Sequence, residues 1–379
     1  MKISTQCVHG RGTYLDPTGA ISVPIYQSAT FRHPSIGEST GYDYSRVQNP
    51  TREQLEHTLC ALEQGLDCMA FSSGMAAEAM LMELFSPGDH IIASDDLYGG
   101  TPRLFQQISQ KNGLHFSYLD MGDPARVEAA ITEHSKAIFI ETPTNPMMKV
   151  TDIKALSNIA RAHGLLLIVD NTFLTPYLQR PLTLGADIVI HSGTKYLGGH
   201  NDTLAGFLVV NRPDLSERLR FLYKTIGPCL SPFDSFLILR GMKTLAIRMK
   251  QQEQSAHIIA RWLQEQPQIS KVYYCGLEDH PSYQLSKEQA DGFGAMVSFR
   301  VKDPQVAAQA LESLNLIAYA ESLGGVESLM TFPYLQTHAD VPEDIRQALG
   351  IDNCLLRLSV GLEDVEDLIA DLAQALGGR

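Results

Sequence analysis

Seven short apolar runs lie between residues 66 and 210, and stretches with helical patterning separate them. Most of the runs lack alternating polar residues, so the strands that they predict must be covered by helices on both faces. A parallel sheet with helical crossovers meets this requirement, and we predict an α/β domain with a mainly parallel, seven-stranded sheet. The runs are CMAF (68–71), HIIAS (90–94), HFSYL (115–119), AIFIE (137–141), LLLIVD (165–170), DIVIH (187–191) and GFLVV (206–210).

The residues before the sheet predict an arm and a helix. Residues 1–48 have no sustained periodicity, which is typical of extended loop. Asn49 followed by Pro50 predicts a helix start. Asparagine caps the first turn, and proline is tolerated there because the backbone N–H that it lacks would have no partner within the helix. Leucines then recur at helical spacing until Gly65 ends the pattern. An arm this long and polar is expected to lie across a neighbouring subunit.

The last third of the chain predicts a smaller α+β domain. A helical stretch at 233–266 precedes four strand-like runs, and the chain ends in an amphipathic helix at 363–376. The four runs are KVYY (271–274), AMVSFRV (295–301), LIAYA (316–320) and LLRLSV (355–360). The predicted units are therefore an inter-subunit arm and helix at 1–60, an α/β domain at 61–245 and an α+β domain at 246–379.

Composition and charge exclude several classes of protein. An apolar fraction of 44% and a net charge of −13 describe an acidic globular protein, whereas nucleic acids and anionic membranes require a basic surface. The longest apolar run, Leu165 to Val169, is far too short to cross a membrane, and the N-terminus shows no apolar signal region. The six cysteines are widely spaced, which predicts free thiols and a cytoplasmic location.

The turn after the first predicted strand is rich in serine and glycine. In an open parallel sheet, ligands bind beyond the carboxyl ends of the strands. Ser72-Ser73-Gly74-Met75 opens a helix there, and backbone amides at a helix start attract a phosphate or a carboxylate. A capped helix without a ligand explains the same residues. Neither GxGxxG nor the P-loop motif occurs, which counts against a nicotinamide oxidoreductase.

A carboxylate and a lysine follow neighbouring predicted strands. Asp170 ends the most apolar run, and Lys195 follows the next one in Ser192-Gly193-Thr194-Lys195. An ion pair that joins two loops is one interpretation. The other is a pyridoxal-phosphate site, in which Lys195 carries the cofactor aldehyde and Asp170 keeps the ring nitrogen protonated. Ser192 and Thr194 would then supply hydroxyl groups near the phosphate.

Two further residues suit a site of this kind. Tyr98 follows the second strand and is either an aromatic residue at the rim or a ring stacked on the cofactor, with a phenol that exchanges protons. Arg357 is an isolated cation within the apolar run LLRLSV. A buried arginine needs a carboxylate partner, which is either an internal acid or the carboxylate of a substrate.

Eight motifs stand in one order along nearly the whole chain. They are YSRVQNPTR (44–52), FSSGMAA (71–77), DLYGGT (96–101), ETPTNP (141–146), VDNTF (169–173), HSGTKYLGGHND (191–202), ESLGGVESL (321–329) and LLRLSVGLED (355–364). With these motifs the sequence resembles the Cys/Met-metabolism family of fold-type I pyridoxal-phosphate enzymes. That family includes cystathionine γ-synthase, cystathionine β- and γ-lyases, methionine γ-lyase and O-acetylhomoserine sulfhydrylase.

The resemblance implies a role for each matching position. Lys195 would be the Schiff-base lysine, Asp170 the partner of the ring nitrogen and Tyr98 the stacking phenol. Arg357 would bind the substrate α-carboxylate, Ser322 would position Lys195, and Glu321 would meet a distal ammonium group. The other cofactor contacts would be Gly74, Met75, Asn145, Ser192 and Thr194, together with Tyr44 and Arg46 from a neighbouring subunit. The resemblance also implies a homotetramer of two active dimers, and no metal.

The type of reaction is less strongly indicated. Methionine γ-lyases typically have Cys where Gly100 stands here, and sulfhydrylases are usually longer chains. The segments 37–40 and 331–346 resemble bacterial cystathionine γ-synthases that use O-acetylhomoserine, and some lyases share them. We therefore expect γ-replacement on an O-acylated homoserine by cysteine, giving L-cystathionine in trans-sulfuration and methionine biosynthesis. A cystathionine β- or γ-lyase is the alternative.

Overall fold

The large domain is built on a seven-stranded sheet, as the apolar runs predict. The computed structural model describes residues 1–12 and 16–377. The strand order is β1-β7-β6-β5-β4-β2-β3, and only β7 runs antiparallel to its two neighbours. The strands are β1 Asp67–Phe71, β2 His90–Ser94, β3 His115–Leu119, β4 Ser135–Glu141, β5 Leu166–Asp170, β6 Ile188–Ser192 and β7 Gly206–Val210.

Helices cover both faces of this sheet. Val169 and Val189 pack into one hydrophobic core, whereas Ile168 and Ile190 pack into the other, because alternate residues of a strand point to opposite faces. The helices are α1 Ile3–His9, α2 Pro50–Leu62, α3 Gly74–Met82, α4 Gly100–Leu104, α5 Pro124–Ala129, α6 Ile153–Ala162, α7 Thr175–Leu178, α8 Pro213–Ile226, α9 Pro232–Met242, α10 Leu245–Gln264, α11 Tyr283–Gln289, α12 Pro304–Ser313, α13 Glu343–Leu349 and α14 Val365–Ala375.

The smaller domain contains a five-stranded sheet. Its order is β10-β11-β12-β9-β8, and only the pair β10–β11 is parallel. The strands are β8 Ile269–Tyr273, β9 Met296–Val301, β10 Ala318–Tyr319, β11 Leu329–Thr331 and β12 Leu355–Ser359. Strand β11 has three residues and helix α13 has no buried side chain, so neither produces a periodic apolar signal, and both are absent from the sequence prediction.

One prediction at the helices needs correction. The start of the arm is helical rather than extended: α1 buries Cys7 and packs on α2 and α10, with too short a span to show a period in the sequence. The predicted helical stretch at 233–266 contains two helices, α9 and α10, separated by Lys243 and Thr244. The predicted start of α2 is confirmed, since Asn49 Oδ1 accepts hydrogen bonds from the amides of Thr51 and Arg52 at 3.0 and 3.4 Å.

The remaining sequence predictions about the fold have different outcomes. The mainly parallel seven-stranded sheet with a smaller α+β domain is confirmed, while the unit boundaries at 60 and 245 stay a prediction. All six cysteines are free thiols. In the described part of the chain, no helix has both the length and the apolar character needed to cross a membrane.

Candidate active site

A cavity of about 180 Å³ lies beyond the carboxyl ends of the central strands. Glu141, Asp170 and Ser192 are the last residues of β4, β5 and β6, and neighbouring parallel strands end at one edge of the sheet. The side chains and backbone that line the cavity come from Ser73, Gly74, Met75, Glu78, Tyr98, Glu141, Asn145, Asp170, Thr172, Phe173, Ser192, Thr194, Lys195, Leu204 and Leu323. The structure therefore brings together eight of the predicted site residues in one space.

The start of helix α3 forms one end of the cavity. Ser73 caps the helix, and its Oγ accepts a hydrogen bond from the amide of Ala76 at 3.1 Å. A Cβ atom on Gly74 would lie 3.3 Å from the Cβ of Ser192, so a glycine there lets the helix start approach strand β6. Ser192 and Thr194 also line the cavity, where Thr194 Oγ1 accepts a hydrogen bond from the Ala205 amide at 3.1 Å. Backbone amides and hydroxyls at a helix start form a suitable cradle for a phosphate group.

Asp170 faces the cavity from the end of β5. Burial raises the pKa of its carboxyl group, while hydrogen bonds from Thr172 and the nearby His191 oppose that rise. The backbone N–H of Thr172 donates to Asp170 Oδ1 at 2.9 Å. A half-buried carboxylate that is hydrogen-bonded in this way is suited to a cationic partner inside the cavity.

Lys195 is fixed by a contact from the smaller domain. Its Nζ donates a hydrogen bond to Ser322 Oγ at 2.8 Å. Burial, and to a lesser extent the charge of Arg357, lowers the pKa of the Lys195 ammonium group to about 8. Ser322 has a φ of 99°, a conformation that is unfavourable for a residue with a Cβ atom, so the backbone is held there by its surroundings.

Arg357 is a buried cation whose guanidinium contacts neutral oxygen atoms. Its Nη1 donates to Asn145 Oδ1 at 2.6 Å, and its Nη2 donates to the Ser322 carbonyl and to Thr331 Oγ1, both at 3.0 Å. Its Nε is buried without a partner, and burial lowers the pKa of the guanidinium to about 10. Among the described residues no carboxylate forms an ion pair with Arg357. A carboxylate from outside the chain would complete its bonding.

The loop that carries Tyr98 is held from two sides. The backbone N–H of Tyr98 donates to Glu141 Oε2 at 2.7 Å. A Cβ atom on Gly99 would lie 1.9 Å from the Thr337 carbonyl oxygen, so the smaller domain packs directly against the loop backbone. The buried His338 has its Nε2 atom 3.2 Å from the carbonyl oxygen of Leu97. These contacts leave the phenol ring at the cavity, where burial raises the pKa of Tyr98.

The other predicted residues lie at different distances from the cavity. Glu321 and Ser322 line an adjoining recess together with Asp202 and Thr194. Tyr44 and Arg46 lie outside the cavity lining: the Arg46 guanidinium sits 5.5 Å from the Tyr44 ring and donates to the carbonyl of Lys224. Their predicted role in a neighbouring subunit's site stays a prediction.

Two cavity-lining acids were absent from the sequence prediction. Glu141 is the first residue of the motif ETPTNP and the last residue of a predicted strand. Its position at the sheet edge could therefore have identified it as a residue of the cavity. Glu78 lies within helix α3, four residues after Gly74, and faces the same cavity because residues i and i+4 share a helix face. Nothing in the local pattern distinguishes it from a surface glutamate.

The fold and the cavity together place the chain among the fold-type I pyridoxal-phosphate enzymes. The chain belongs to the family described as Cys/Met metabolism PLP-dependent enzymes, whose sequence model matches residues 4–377. Pyridoxal 5'-phosphate is therefore its cofactor, and the helix start, hydroxyls, aspartate and lysine of the cavity fit that molecule's phosphate, ring nitrogen and aldehyde.

Three known proteins illustrate the similarity. A cystathionine beta-lyase of Lactococcus lactis is 47% identical over 99% of this chain and 98% of its own. A cystathionine gamma-synthase/O-acetylhomoserine (thiol)-lyase of Bacillus subtilis is 52% identical over 95% of this chain and 92% of its own. The crystal structure of cystathionine gamma-lyase from Lactobacillus plantarum complexed with L-serine superposes with a TM-score of 0.97, at 47% identity, over 100% of this chain and 99% of its own. The chain is a pyridoxal-phosphate enzyme that forms or cleaves C–S bonds.

Proposed function

We propose that this enzyme is a cystathionine γ-synthase, which joins an O-acyl-L-homoserine and L-cysteine into L-cystathionine and releases the acyl group as a carboxylate. In this reaction the Cγ–O bond of the homoserine ester breaks and a Cγ–S bond forms. The observation that carries the proposal is an acidic recess whose residue Ser322 is hydrogen-bonded to both Lys195 and the buried Arg357. The 52% identity to a Bacillus subtilis protein named cystathionine gamma-synthase/O-acetylhomoserine (thiol)-lyase supports a replacement reaction on an acylated homoserine.

The cavity floor holds the cofactor in this proposal. When bound, pyridoxal phosphate supplies an electron sink that stabilises negative charge on the substrate. The amides of Gly74 and Met75, with the Ser192 and Thr194 hydroxyls, would bind the phosphate group. Asp170 would bind the ring nitrogen, and Tyr98 would contact the ring.

Lys195 moves protons at the substrate carbons. Because its pKa is about 8, part of the Lys195 side chain is a neutral amine near neutral pH. The neutral amine can accept a proton from a substrate carbon, and the ammonium group that results can donate it back. The Ser322 hydroxyl, 2.8 Å from Nζ, holds the amine in one orientation. Because the amine is already ordered, Lys195 loses less conformational entropy on reaching the geometry of proton transfer than a mobile lysine would.

Arg357 binds the α-carboxylate of the amino-acid substrate. Its guanidinium is held by Asn145, Thr331 and the Ser322 carbonyl, which fix its plane without neutralising its charge. The buried surroundings strengthen the attraction to a carboxylate relative to the same pair in water. An amino acid is thereby oriented with its α-carbon toward Lys195.

The recess beside Ser322 receives the second amino acid. Glu321 and Asp202 are exposed acids on its wall, and they attract the ammonium group of cysteine or of the distal half of cystathionine. A substrate with ammonium groups at both ends therefore fits the recess better than one with a plain alkyl end.

A cystathionine lyase is the second candidate. Lyases use the same cavity but release an oxoacid, ammonia and a thiol, and the 47% identity to the beta-lyase extends over 99% of this chain. O-acetylhomoserine sulfhydrylase and methionine γ-lyase are weaker alternatives. We expect the enzyme to act as a homotetramer of two active dimers in the cytoplasm, with Tyr44 and Arg46 of each chain serving the site of a neighbour.

Product analysis separates these candidates. The purified enzyme should be yellow, and O-acetylhomoserine with cysteine should give cystathionine faster than cystathionine alone gives oxoacid and thiol. Rapid release of oxoacid from cystathionine, with little replacement, would instead identify a lyase. Parallel assays with sulfide in place of cysteine, and with methionine as sole substrate, test the two weaker alternatives.

A further inference from the structure

Helix α3 carries a buried acid into the cofactor cavity. Glu78 is 3% exposed and lines the cavity with Gly74 and Met75 of the same helix face. The Thr101 side chain hydrogen-bonds to its carboxyl group, but Oε2 is buried without a hydrogen-bond partner. An ionised carboxylate with a bare oxygen in such a place is costly, whereas a neutral acid is much less so.

The neighbours of Glu78 also disfavour its charge. Within residues 1–12 and 16–377, the charged groups that line the cavity are Glu78, Glu141 from β4, Asp170 from β5 and Lys195 after β6, and Tyr98 is the other titratable group. Glu141 and Asp170 each accept a backbone N–H, from Tyr98 and Thr172, whereas Glu78 accepts none that the structure shows. Three adjacent ionised carboxylates would repel one another.

We propose that Glu78 is a positioning residue of the cofactor site that is a neutral carboxylic acid before the cofactor binds, when Asp170 is the anion of this pair, and that gives up its proton when the cationic ring of the cofactor binds beside Asp170. The proposal rests on the assignment of Asp170 made above. Burial first, and the charge of Asp170 second, raise the pKa of Glu78 to about 8. Asp170 is the better anion of the pair because Thr172 and His191 stabilise its charge.

This arrangement links cofactor affinity to pH. A protonated ring nitrogen beside Asp170 is a cation, and a cation favours the ionised form of the neighbouring Glu78. Cofactor binding then releases a proton from Glu78, so Glu78 adds to the affinity only as the pH rises through its pKa. Glu78→Gln keeps the shape and the neutral state but cannot titrate.

Nuclear magnetic resonance of the full-length apoprotein tests the protonation of Glu78 without the cofactor. Glutamate labelled with ¹³C at the side-chain carboxyl gives a titration curve for each residue, and Glu78 is the signal that Glu78→Gln removes. A midpoint near pH 8 is expected from its surroundings. A midpoint at about 5 or below, close to that of an ordinary glutamate, would overturn the proposal whatever Asp170 does.

Cofactor affinity tests the consequence. The dissociation constant of pyridoxal phosphate is measured for the wild type, Glu78→Gln and Glu83→Gln, the last a matched control at the exposed end of the same helix. The dissociation constant of Glu78→Gln divided by that of the wild type should be near one at about pH 6.5. If the cationic ring lowers the pKa of Glu78 by about one unit, this ratio should be about ten at about pH 9.5. The Glu83→Gln ratio should stay near one throughout.

Two results would contradict the proposal. A tenfold weaker affinity of Glu78→Gln already at the lower pH would mean that the charged form is needed, and a ratio independent of pH would mean that Glu78 does not sense the cofactor. The variant Asp170→Asn tests the proposed cofactor site separately from the proposal about Glu78. If that variant binds the cofactor normally, the assignment of Asp170 to the ring nitrogen is wrong. The apoprotein titration reports the protonation of Glu78 in either case.

Discussion

The two walls of the active-site cavity are built differently. The large-sheet wall presents Asp170, Ser192 and Lys195 at or just beyond strand ends, with carboxyl groups and hydroxyls predominating. The small-sheet wall consists of Arg357 from strand β12 and Ser322 from the segment after β10, which stand behind the cavity lining and reach it through hydrogen bonds with Asn145 and Lys195. One wall suits a phosphorylated, cationic ring and the other suits a carboxylate. The difference indicates that cofactor binding and substrate selection are divided between the two domains.

Two hydrogen bonds of functional residues join the two walls. Lys195 donates to Ser322 at 2.8 Å, and Arg357 donates to Asn145 at 2.6 Å, so each wall supplies a cation that the other wall orients. Substitutions on each wall should therefore affect different steps, and substitutions at the junction should change both. The predictions below use this division, in order of decreasing effect.

Lys195→Ala removes the reactive group of the large-sheet wall. Turnover of O-acetylhomoserine with cysteine should fall at least about a thousandfold, because both proton transfer and covalent attachment of the cofactor are lost. Borohydride should no longer attach the cofactor to the protein, which mass spectrometry measures. Lys302→Ala, at an exposed lysine of the smaller domain, is the control and should retain full activity. Retained turnover in Lys195→Ala would refute its assignment.

Arg357→Lys keeps the positive charge of the small-sheet wall but removes the planar guanidinium group with its paired N–H donors. The ratio kcat/KM should fall about a hundredfold, mainly through KM, because a lysine cannot keep the contacts to Asn145 and Thr331 and also bind a carboxylate in two places. Cofactor absorbance should stay unchanged. Arg300→Lys, on the adjacent strand β9, is the matched control. A loss of cofactor in Arg357→Lys would show that the walls are not divided as described.

The large-sheet wall was more predictable from the sequence than the small-sheet wall. Asp170 and Lys195 follow apolar runs whose parallel pairing is fixed by burial on both faces, so their proximity follows from the topology. Arg357 could be recognised as an unusual cation, but its contacts with Asn145 come from a residue 212 positions away. Such a long-range contact depends on how the domains pack. The family resemblance assigned both residues to one site but did not predict this contact.

The unpredicted features share a physical cause. Strand β11, which supplies Thr331 to Arg357, is too short for a period to be visible, and Glu78 looks like any helix glutamate until the cavity beside it is known. Ser322 adopts its φ of 99° because contacts from both walls hold it there. Local propensity carries no information about any of these three features.

Ser322→Ala breaks the junction between the walls. The Ser322 hydroxyl accepts a hydrogen bond from the Lys195 ammonium and so favours its charged form, which means that its loss lowers the pKa of Lys195 below about 8. The neutral amine is the base, so the rise of α-proton exchange with pH should shift to lower pH. The maximal rate should fall about tenfold because the amine is less well oriented.

Two variants separate the hydroxyl from the backbone at this position. Ser322→Gly also lacks the hydroxyl but relieves the unfavourable φ, so it should show the same shift in pH and a higher melting temperature than Ser322→Ala. Ser313→Ala removes a hydroxyl that bonds only within its own helix and should leave the profile unchanged. An unshifted profile in both Ser322 variants would mean that the hydroxyl does not control Lys195.

Glu321→Gln tests the rim of the small-sheet wall and should have the smallest effect. Glu321 is exposed, so its attraction for a distal ammonium is screened by water and is worth about 1 kcal/mol or less. The KM for cystathionine should rise about threefold, while the KM for O-acetylhomoserine, which has no distal ammonium, should change little. Glu312→Gln, at another exposed glutamate of the same domain, should change neither. Equal changes for both substrates would show that Glu321 acts on Lys195 through its charge, which raises the pKa of that lysine, rather than on the distal ammonium.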